Sequence, residues 1–291
     1  MAGTKEIKRR IRSVKNIKKI TKAMELVAAA KMKRAVASTL ASRLYAQYSW
    51  DVITSIGKNI EKAEHPFFVE REAKNVLLVL ITSNRGLCGA YNTQVGKKAL
   101  AFLRGASSAY PDASVDVATI GKKGEVMMRR LGKNIIASFS DIPDTVNLRD
   151  IMPVSNFITE EYSLEKYDRI IVTYTDFVSA LTQKPKVKQI MPVSRSELRE
   201  LIETLGEHKD GVDLSKQERK TEYLFEGDQK KMIGMLAEKL VNMQIYQMIL
   251  ESRASEQSSR MMAMKNASDA AGEMIDDFTL LFNKARQAGI T

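Results

Sequence analysis

The chain has 291 residues and a formal net charge of +11, from 46 Lys and Arg against 35 Asp and Glu. Apolar residues make up 44% of it and charged residues 28%, values typical of soluble folded proteins, so wholesale disorder is excluded. The single cysteine excludes an internal disulfide and a Cys-rich metal site, and the two histidines argue against a multi-His metal site or a Ser-His-Asp triad. No apolar run approaches the roughly 18 residues of a transmembrane helix.

The segment 4–60 has the pattern of one long helix. Its apolar residues recur every three or four positions, at Ile7, Ile11, Val14, Ile17, Ile20, Met24, Val27 and Ala30. Gly57 and Pro66 predict where the helix ends. Between residues 5 and 34 the segment holds 12 basic and 2 acidic residues, so it carries most of the net charge.

A helix this basic implies an acidic partner. Nucleic acid is one candidate, but the basic stretch lacks aromatic stacking residues and no recognisable binding module is present. A membrane surface is another, but no Trp or Phe precedes Trp50 to anchor the helix. An acidic protein collar around the helix needs neither feature, so we favour it and keep a basic coiled-coil nucleic-acid-binding protein as the alternative.

The middle of the chain changes period and predicts a small α/β domain. Strands are expected at 75–82, 115–120, 134–140, 168–177 and 187–193, separated by helices at 92–110, 123–132 and 148–167. Strands that alternate with helices indicate a Rossmann-like, mostly parallel sheet. The polar stretch 194–220 is predicted to be a loop, and 221–227 a short strand.

The last segment, 228–291, predicts a second long helix with a heptad seam. The seam consists of Leu236, Leu240, Met243, Gln247, Leu250, Ala254, Gln257, Met261, Met264, Ser268, Ala271, Ile275, Phe278, Phe282 and Ala285, and twelve of the fifteen are apolar. Two rods of similar length at opposite ends of the chain favour an antiparallel coiled coil, because each then covers the apolar stripe of the other. The fold class is therefore α/β, with a long antiparallel coiled coil of the terminal helices and an inserted domain.

The loop after the first strand raises the possibility of an enzyme. Gly86 and Gly89 stand where a dinucleotide fold has its phosphate-binding turn, but the loop is neither G-x-G-x-x-G nor a Walker A motif. We interpret it as a structural turn and Cys88 as a small packed residue rather than a nucleophile. A nucleotide-dependent oxidoreductase or transferase would need the phosphate fingerprint that this loop lacks.

Several motifs together resemble the gamma subunit of F-type ATP synthases. The N-terminal pattern of that family matches at Ser13, Asn16, Lys19, Ile20, Thr21, Lys22, Ala23, Met24, Val27, Ala28, Ala29 and Lys31. Further matches lie at 83–89 (SNRGLCG), 223–226 (YLFE), 254–275 and 283–291. The resemblance covers nearly the whole chain.

The resemblance implies a non-catalytic rotor without a cofactor. In this family the coiled coil stands in the bore of a catalytic alpha–beta hexamer, and the α/β domain forms a foot beside the epsilon subunit and above the membrane c-ring. The chain then divides into a coiled-coil helix (1–65), the foot (73–194), a connecting region (195–227) and a second coiled-coil helix (228–291). The expected location is the cytoplasmic face of a bacterial inner membrane, as a peripheral part of the complex.

The resemblance also implies partner-contact residues. The expected contacts with the hexamer are Lys8, Arg9, Lys18, Lys22, Met24, Glu256, Gln257, Arg260, Arg286 and Gln287. Tyr223 is expected to face epsilon and the c-ring. No catalytic, cofactor-binding or metal-binding residue is expected.

Overall fold

The computed structural model describes residues 4–57, 66–109, 113–193 and 229–288. The elements are α1 (Thr4–Gly57), β1 (Asn75–Ile81), α2 (Tyr91–Ala109), β2 (Ser114–Ile120), α3 (Lys122–Arg130), β3 (Ile135–Phe139), α4 (Leu148–Ser163), β4 (Arg169–Phe177), β5 (Gln183–Met191) and α5 (Gln229–Ala288), with a short 3-10 helix at Pro66–Phe68. The predicted strand at 221–227, the predicted loop at 194–220 and Tyr223 lie outside the described residues.

The five strands form one sheet in the order β3-β2-β1-β4-β5. The first four are parallel, as predicted, and β5 pairs antiparallel with β4 at the edge. The central strand β1 is buried from Val76 to Ile81, which explains its continuous run of apolar residues. The edge strand β5 carries Pro185 and three lysines, features that discourage pairing with another sheet.

Helices cover both faces of the sheet. On one face, α2 and α3 enclose an apolar cluster that includes Leu78, Val95 and Met128. On the other face, α4 packs together with the first half of α5, which contributes Val241 and Ile249 among others. The segment predicted as a coiled-coil helix therefore also supplies core residues to the α/β domain.

The second half of α5 pairs antiparallel with α1. Gly272 of α5 lies against the end of the Lys18 side chain, whereas Lys31, farther along α1, reaches the loop that Arg253 of α5 holds. The predicted seam on α5 agrees with the structure, since each of its members whose burial is described is buried or half-buried. The fold class and the antiparallel coiled coil are thus confirmed.

The apolar series predicted for α1 agrees with the structure at its beginning, whereas most of its later members are exposed. Ile7 is buried, but Ile17, Ile20 and Val27 are 50%, 59% and 55% exposed. The seam instead advances by four and three residues, with the exposed Lys18 as its one interruption, and its other members are buried or half-buried: Ile7, Ile11, Val14, Thr21, Glu25, Ala28, Met32, Ala35 and Thr39. The predicted series took successive steps of three, which fall short of the 3.6 residues in a helical turn and therefore drift off the seam.

Among the described residues, none of the helices combines the length and hydropathy that crossing a bilayer requires.

Candidate functional site: the shaft and its joint with the domain

The most distinctive site lies at the carboxyl edge of the sheet, where the parallel strands end. In a sheet of this order, the crevice between β1 and β4 is the point at which open α/β folds bind ligands. Here the segment 252–260 of α5 crosses that edge and contacts the loops that follow β1, β3 and β4. The chain therefore fills its own crevice with one of its helices.

A buried ion network occupies this segment. Glu256 accepts from Arg253 at 3.0 Å and from Arg260 at 2.8 Å, and the three side chains are only 4%, 8% and 11% exposed. The spacing of three and four residues places both guanidinium groups beside the carboxylate on one face of the helix.

Both arginines also reach beyond the helix. Arg253 donates to the carbonyl of Ile142, in the loop after β3, at 3.0 Å. Arg260 donates to the carbonyls of Arg85 and Gly86, in the loop after β1, at 3.3 Å each. The network thus connects the helix to two loops by charge-assisted hydrogen bonds, which are stronger than neutral ones.

Serines complete the contact because they let the helix approach closely. Ser255 and Ser258 donate to the carbonyls of Thr175 and Ala180 at 3.3 and 2.5 Å. Ser259 donates to the carbonyl of Cys88 at 2.8 Å. Each buried hydroxyl is satisfied by the main chain of the domain, as burial of a polar group requires.

The glycine loop itself is shaped by this contact. Gly89 has φ +55°, and a Cβ built there would lie 3.1 Å from the Ser259 hydroxyl oxygen. Cys88 is 2% exposed, and the Asn92 side-chain amide donates to its sulfur at 3.1 Å. The loop has the geometry of a structural turn pressed against α5, in agreement with the prediction.

Tyr91 lies next to the ion network. Its ring is buried, and burial together with the nearby Glu256 carboxylate raises the pKa of its hydroxyl. The positive charge of Arg253 and a hydrogen bond with Ser252 oppose this pKa shift. The tyrosine therefore stays protonated and acts as a neutral packing partner of the network.

An ion pair ties α1 to the domain. Lys31 contacts Asp144, in the loop between β3 and α4, at 2.5 Å. The hydrogen bond from Lys31 holds the pKa of Asp144 below its ordinary value. Both side chains are partly open to water, with exposures of 37% and 51%, so screening keeps the pair weak.

The outer face of α1 is both apolar and basic. The exposed Ile17, Ile20 and Val27 share this side of the helix with exposed cations such as Lys19. The two acidic residues of this region are already paired within the helix, Glu6 with Arg10 at 2.7 Å and Glu25 with Lys22 at 3.0 Å. This face thus presents uncompensated positive charge beside apolar surface.

The predicted contact residues fall into two groups. Six of them lie on the coiled coil with exposed side chains, namely Lys8, Arg9, Lys18, Lys22, Arg286 and Gln287, and Met24 is half-buried. Glu256, Gln257 and Arg260 are buried within the chain, at 3%, 5% and 9% exposure. The side chains of Glu256 and Arg260 are engaged internally, because their charges are satisfied by one another and by the domain. Contact of any of these residues with a partner stays a prediction.

Sequence reasoning missed Arg253, Lys31 and Asp144. Two features of the sequence could have revealed the network. One is the basic–acidic–basic spacing of residues 253, 256 and 260, and the other is the run of small residues around it, which allows close approach. Nothing local pairs Lys31 with Asp144, because 113 positions separate them. Within the described ranges, no group of three His, Cys, Asp or Glu side chains is arranged to hold a metal ion.

Comparison with known proteins agrees with this architecture. The family model described as ATP synthase matches residues 3–291. The ATP synthase gamma chain of Legionella pneumophila (strain Corby) is 37% identical over 291 residues, which span 100% of this chain and 96% of the relative. The gamma chain of Histophilus somni (strain 129Pt) is 38% identical over the same coverage.

Two solved structures share the fold. The rotor of the Euglena gracilis mitochondrial ATP synthase has a TM-score of 0.64 at 18% identity and covers 99% of both chains, which supports the fold alone. The central stalk and c-ring structure of the Tetrahymena thermophila mitochondrial ATP synthase has a TM-score of 0.57 at 26% identity and covers 86% of this chain and 99% of the other. Nothing in these comparisons supports the nucleic-acid-binding alternative. The chain belongs to the ATP synthase gamma chain family.

Proposed function

We propose that this chain is the central rotor shaft of an F-type ATP synthase and couples ion flow through a membrane ring to ATP synthesis or hydrolysis in an alpha–beta hexamer. The observation that carries the proposal is the division of α1 into two faces. One face packs on α5, whereas the other exposes Ile17, Ile20 and Val27 among lysines. Such a surface on a long rod suits a partner that surrounds it, and relatives named gamma chain support the same assignment.

The mechanism needs no catalytic group on the shaft. A rod that presents different side chains to the different subunits around it stabilises a different state of each one. A turning shaft then changes which site binds nucleotide tightly, because a ligand-free element can bias states only through contacts that differ between them. The coiled coil supplies such an unequal surface, since its basic residues are concentrated on α1 and α5 is neutral from residue 228 onward.

The proposed partners follow from the same picture. The shaft lies within the alpha–beta hexamer, and the α/β domain lies by the epsilon subunit and the c-ring, where Tyr223 is the predicted contact. The chain is a peripheral part of the membrane-bound complex, on the cytoplasmic face in a bacterium. The Tetrahymena structure, in which the central stalk is solved together with a c-ring, supports the proposed contact with a membrane ring.

A binding experiment tests the proposal. The tagged chain should co-purify with a hexamer of ATP-hydrolysing subunits, and the variant with Ile17→Glu and Ile20→Glu should lose most of that hexamer because it places charge on the exposed apolar stripe. The control is Leu164→Glu, at a leucine of the domain that is slightly more exposed (65%) than Ile17 and Ile20, and this variant should retain the hexamer. Equal capture by both variants, or tight DNA binding with a steep salt dependence and no hexamer, would contradict the proposal.

A further inference from the structure

We propose that the network of Arg253, Glu256 and Arg260 is the joint through which torque passes between the α/β domain and the shaft. This inference rests on the proposed rotor function and adds an internal role for residues that the family resemblance places at a partner interface. It follows from where the network lies: α5 contributes residues up to Leu250 to the domain core, and the network occupies the turns that come directly after them.

Apolar packing and hydrogen bonds fix the rotation of a helix in different ways. The contacts of Val241 and Ile249 keep the apolar side of α5 turned toward the sheet, but a small rotation costs them little because the hydrophobic effect is non-directional. Hydrogen bonds to main-chain carbonyls are directional and tolerate little rotation. The arginine contacts are of this second kind.

The directional contacts come from several sides. Arg253 reaches the loop after β3, and Arg260 reaches the loop after β1. Ser258 reaches Ala180, in the turn between β4 and β5. Glu256 holds both guanidinium groups in place, at 3.0 and 2.8 Å. Rotation of the helix against the domain would break contacts on three loops at once, so torque applied to the domain passes to the shaft.

Burial makes the joint stiff. The Glu256 side chain is only 4% exposed, so water does not compete effectively for the ion pairs. The contact between α1 and the domain is of the opposite kind, because the Lys31–Asp144 pair is partly open to water. Torque therefore enters the coiled coil mainly through α5.

An engineered disulfide between the loop after β1 and α5 can replace the joint reversibly. A Cβ built at Gly89 would lie 3.7 Å from that of Ala263, within the roughly 3.5–4.5 Å that a disulfide spans. Gly89→Cys with Ala263→Cys would link the loop after β1 to α5, and Cys88→Ser would remove the one competing thiol. The left-handed backbone at Gly89 and the nearby Ser259 oxygen at 3.1 Å will strain this link, but Ser259 can rotate away.

The test uses the whole complex, assembled with this disulfide oxidised and carrying Glu256→Gln and Arg260→Gln. While the disulfide is intact, ATP hydrolysis and ATP-driven ion pumping should resemble those of the parent complex. Reduction in place should lower the number of ions pumped per ATP several-fold, while hydrolysis continues, because the shaft turns without carrying the domain. The matched control carries the same disulfide but keeps Glu256 and Arg260. It should pump equally well before and after reduction of the disulfide.

The outcomes separate this proposal from the proposed function. An unchanged pumping ratio after reduction of the double variant would overturn the joint. The same is true if the oxidised double variant is already uncoupled. If the parent complex hydrolyses ATP while the domain of this chain stays still, the rotor function is overturned. The proposed joint then falls with it.

Discussion

Glu256 and Arg260 lie one turn apart on α5 and form an ion pair of 2.8 Å that is almost closed to water. Charged residues on a long helix normally face solvent, where such pairs contribute little. Here the pair is enclosed by the carboxyl edge of the sheet, so its removal has consequences for the stability of the domain as well as for the shaft.

Replacement of Glu256 by alanine should destabilise the chain strongly. The change leaves the guanidinium groups of Arg253 and Arg260 buried without their shared carboxylate, a loss expected to cost about 3–5 kcal/mol. Urea unfolding of the purified full chain measures it. Arg129→Ala breaks an exposed pair of similar length, 2.7 Å, and should cost less than about 1 kcal/mol. Similar losses for the two variants would show that the buried network is not stabilised by its charges.

Two glycines with left-handed backbone should differ in their tolerance of alanine. Gly121 has φ +94°, and a Cβ there would lie 2.3 Å from the carbonyl oxygen of Thr82. Gly132 has φ +65° and nothing within 4 Å. Gly132→Ala should cost about 1–2 kcal/mol for the backbone conformation alone, and Gly121→Ala should cost clearly more, because a main-chain atom cannot move aside. Thermal unfolding of both variants gives the comparison, and an equal loss would contradict the close approach.

Gly272→Ala should stabilise the coiled coil. Alanine favours a helix over glycine by about 1 kcal/mol. The atom that its Cβ would meet, at 2.9 Å, is the terminal nitrogen of Lys18, which can swing into water. Gly105→Ala, in α2 with nothing within 4 Å, shows what helix propensity alone contributes. A melting temperature that rises for Gly105→Ala but falls for Gly272→Ala would mean that Lys18 has a required place across the seam.

Removal of the Lys31–Asp144 pair should lower the free energy of unfolding at neutral pH but leave it unchanged in acid. The folded-state pKa of Asp144 lies below the ordinary value of 3.8, so its contribution to stability is present above that value and is lost as the pH falls through the lower one. Asp144→Asn should therefore cost a few tenths of a kcal/mol at pH 7, as partly exposed pairs do. Stability curves of the two chains should converge below pH 3.8. A difference that persists in acid would point to a packing role instead.

The parts of the fold that repeat were predictable from the sequence. The heptad seam of α5 emerged because a coiled-coil stripe repeats every seven residues whatever its partner. The strands β1 and β4 emerged from their apolar runs, since a strand buried on both faces has no polar alternation. The antiparallel direction of β5 was missed because the strand was predicted to begin at 187 instead of Gln183. The true connection, 178–182, is too short for a parallel crossover.

The inner face of α1 was not predictable from hydrophobicity. Thr21 and Ala28 lie in the seam, with exposures of 9% and 1%, while Ile20 lies outside it. Close pairing of helices selects small residues at the contact, and an isoleucine that a partner covers looks the same in sequence as one in a core. The exposed apolar residues of α1 are therefore the part of the sequence that folding of this chain alone does not explain.

The burial of Glu256 and Arg260 in the joint was not predictable from the sequence for a related reason. The resemblance to the gamma family directed Glu256 and Arg260 toward a partner, since charged residues on a rod are ordinarily at its surface. Their burial depends on loops that lie more than 170 positions away along the chain, as in the contact of Arg260 with Arg85. Tertiary contacts of that range leave no periodic mark in a sequence.

Rotation of the α/β domain can be observed directly in a single complex. A label on Lys133→Cys, an exposed site in the turn before β3 and away from the joint, would report on the domain while the hexamer is fixed to a surface. If the chain is a rotor, the label should turn in one direction for as long as ATP is hydrolysed. A label that stays still while the same complex hydrolyses ATP would contradict the rotor function.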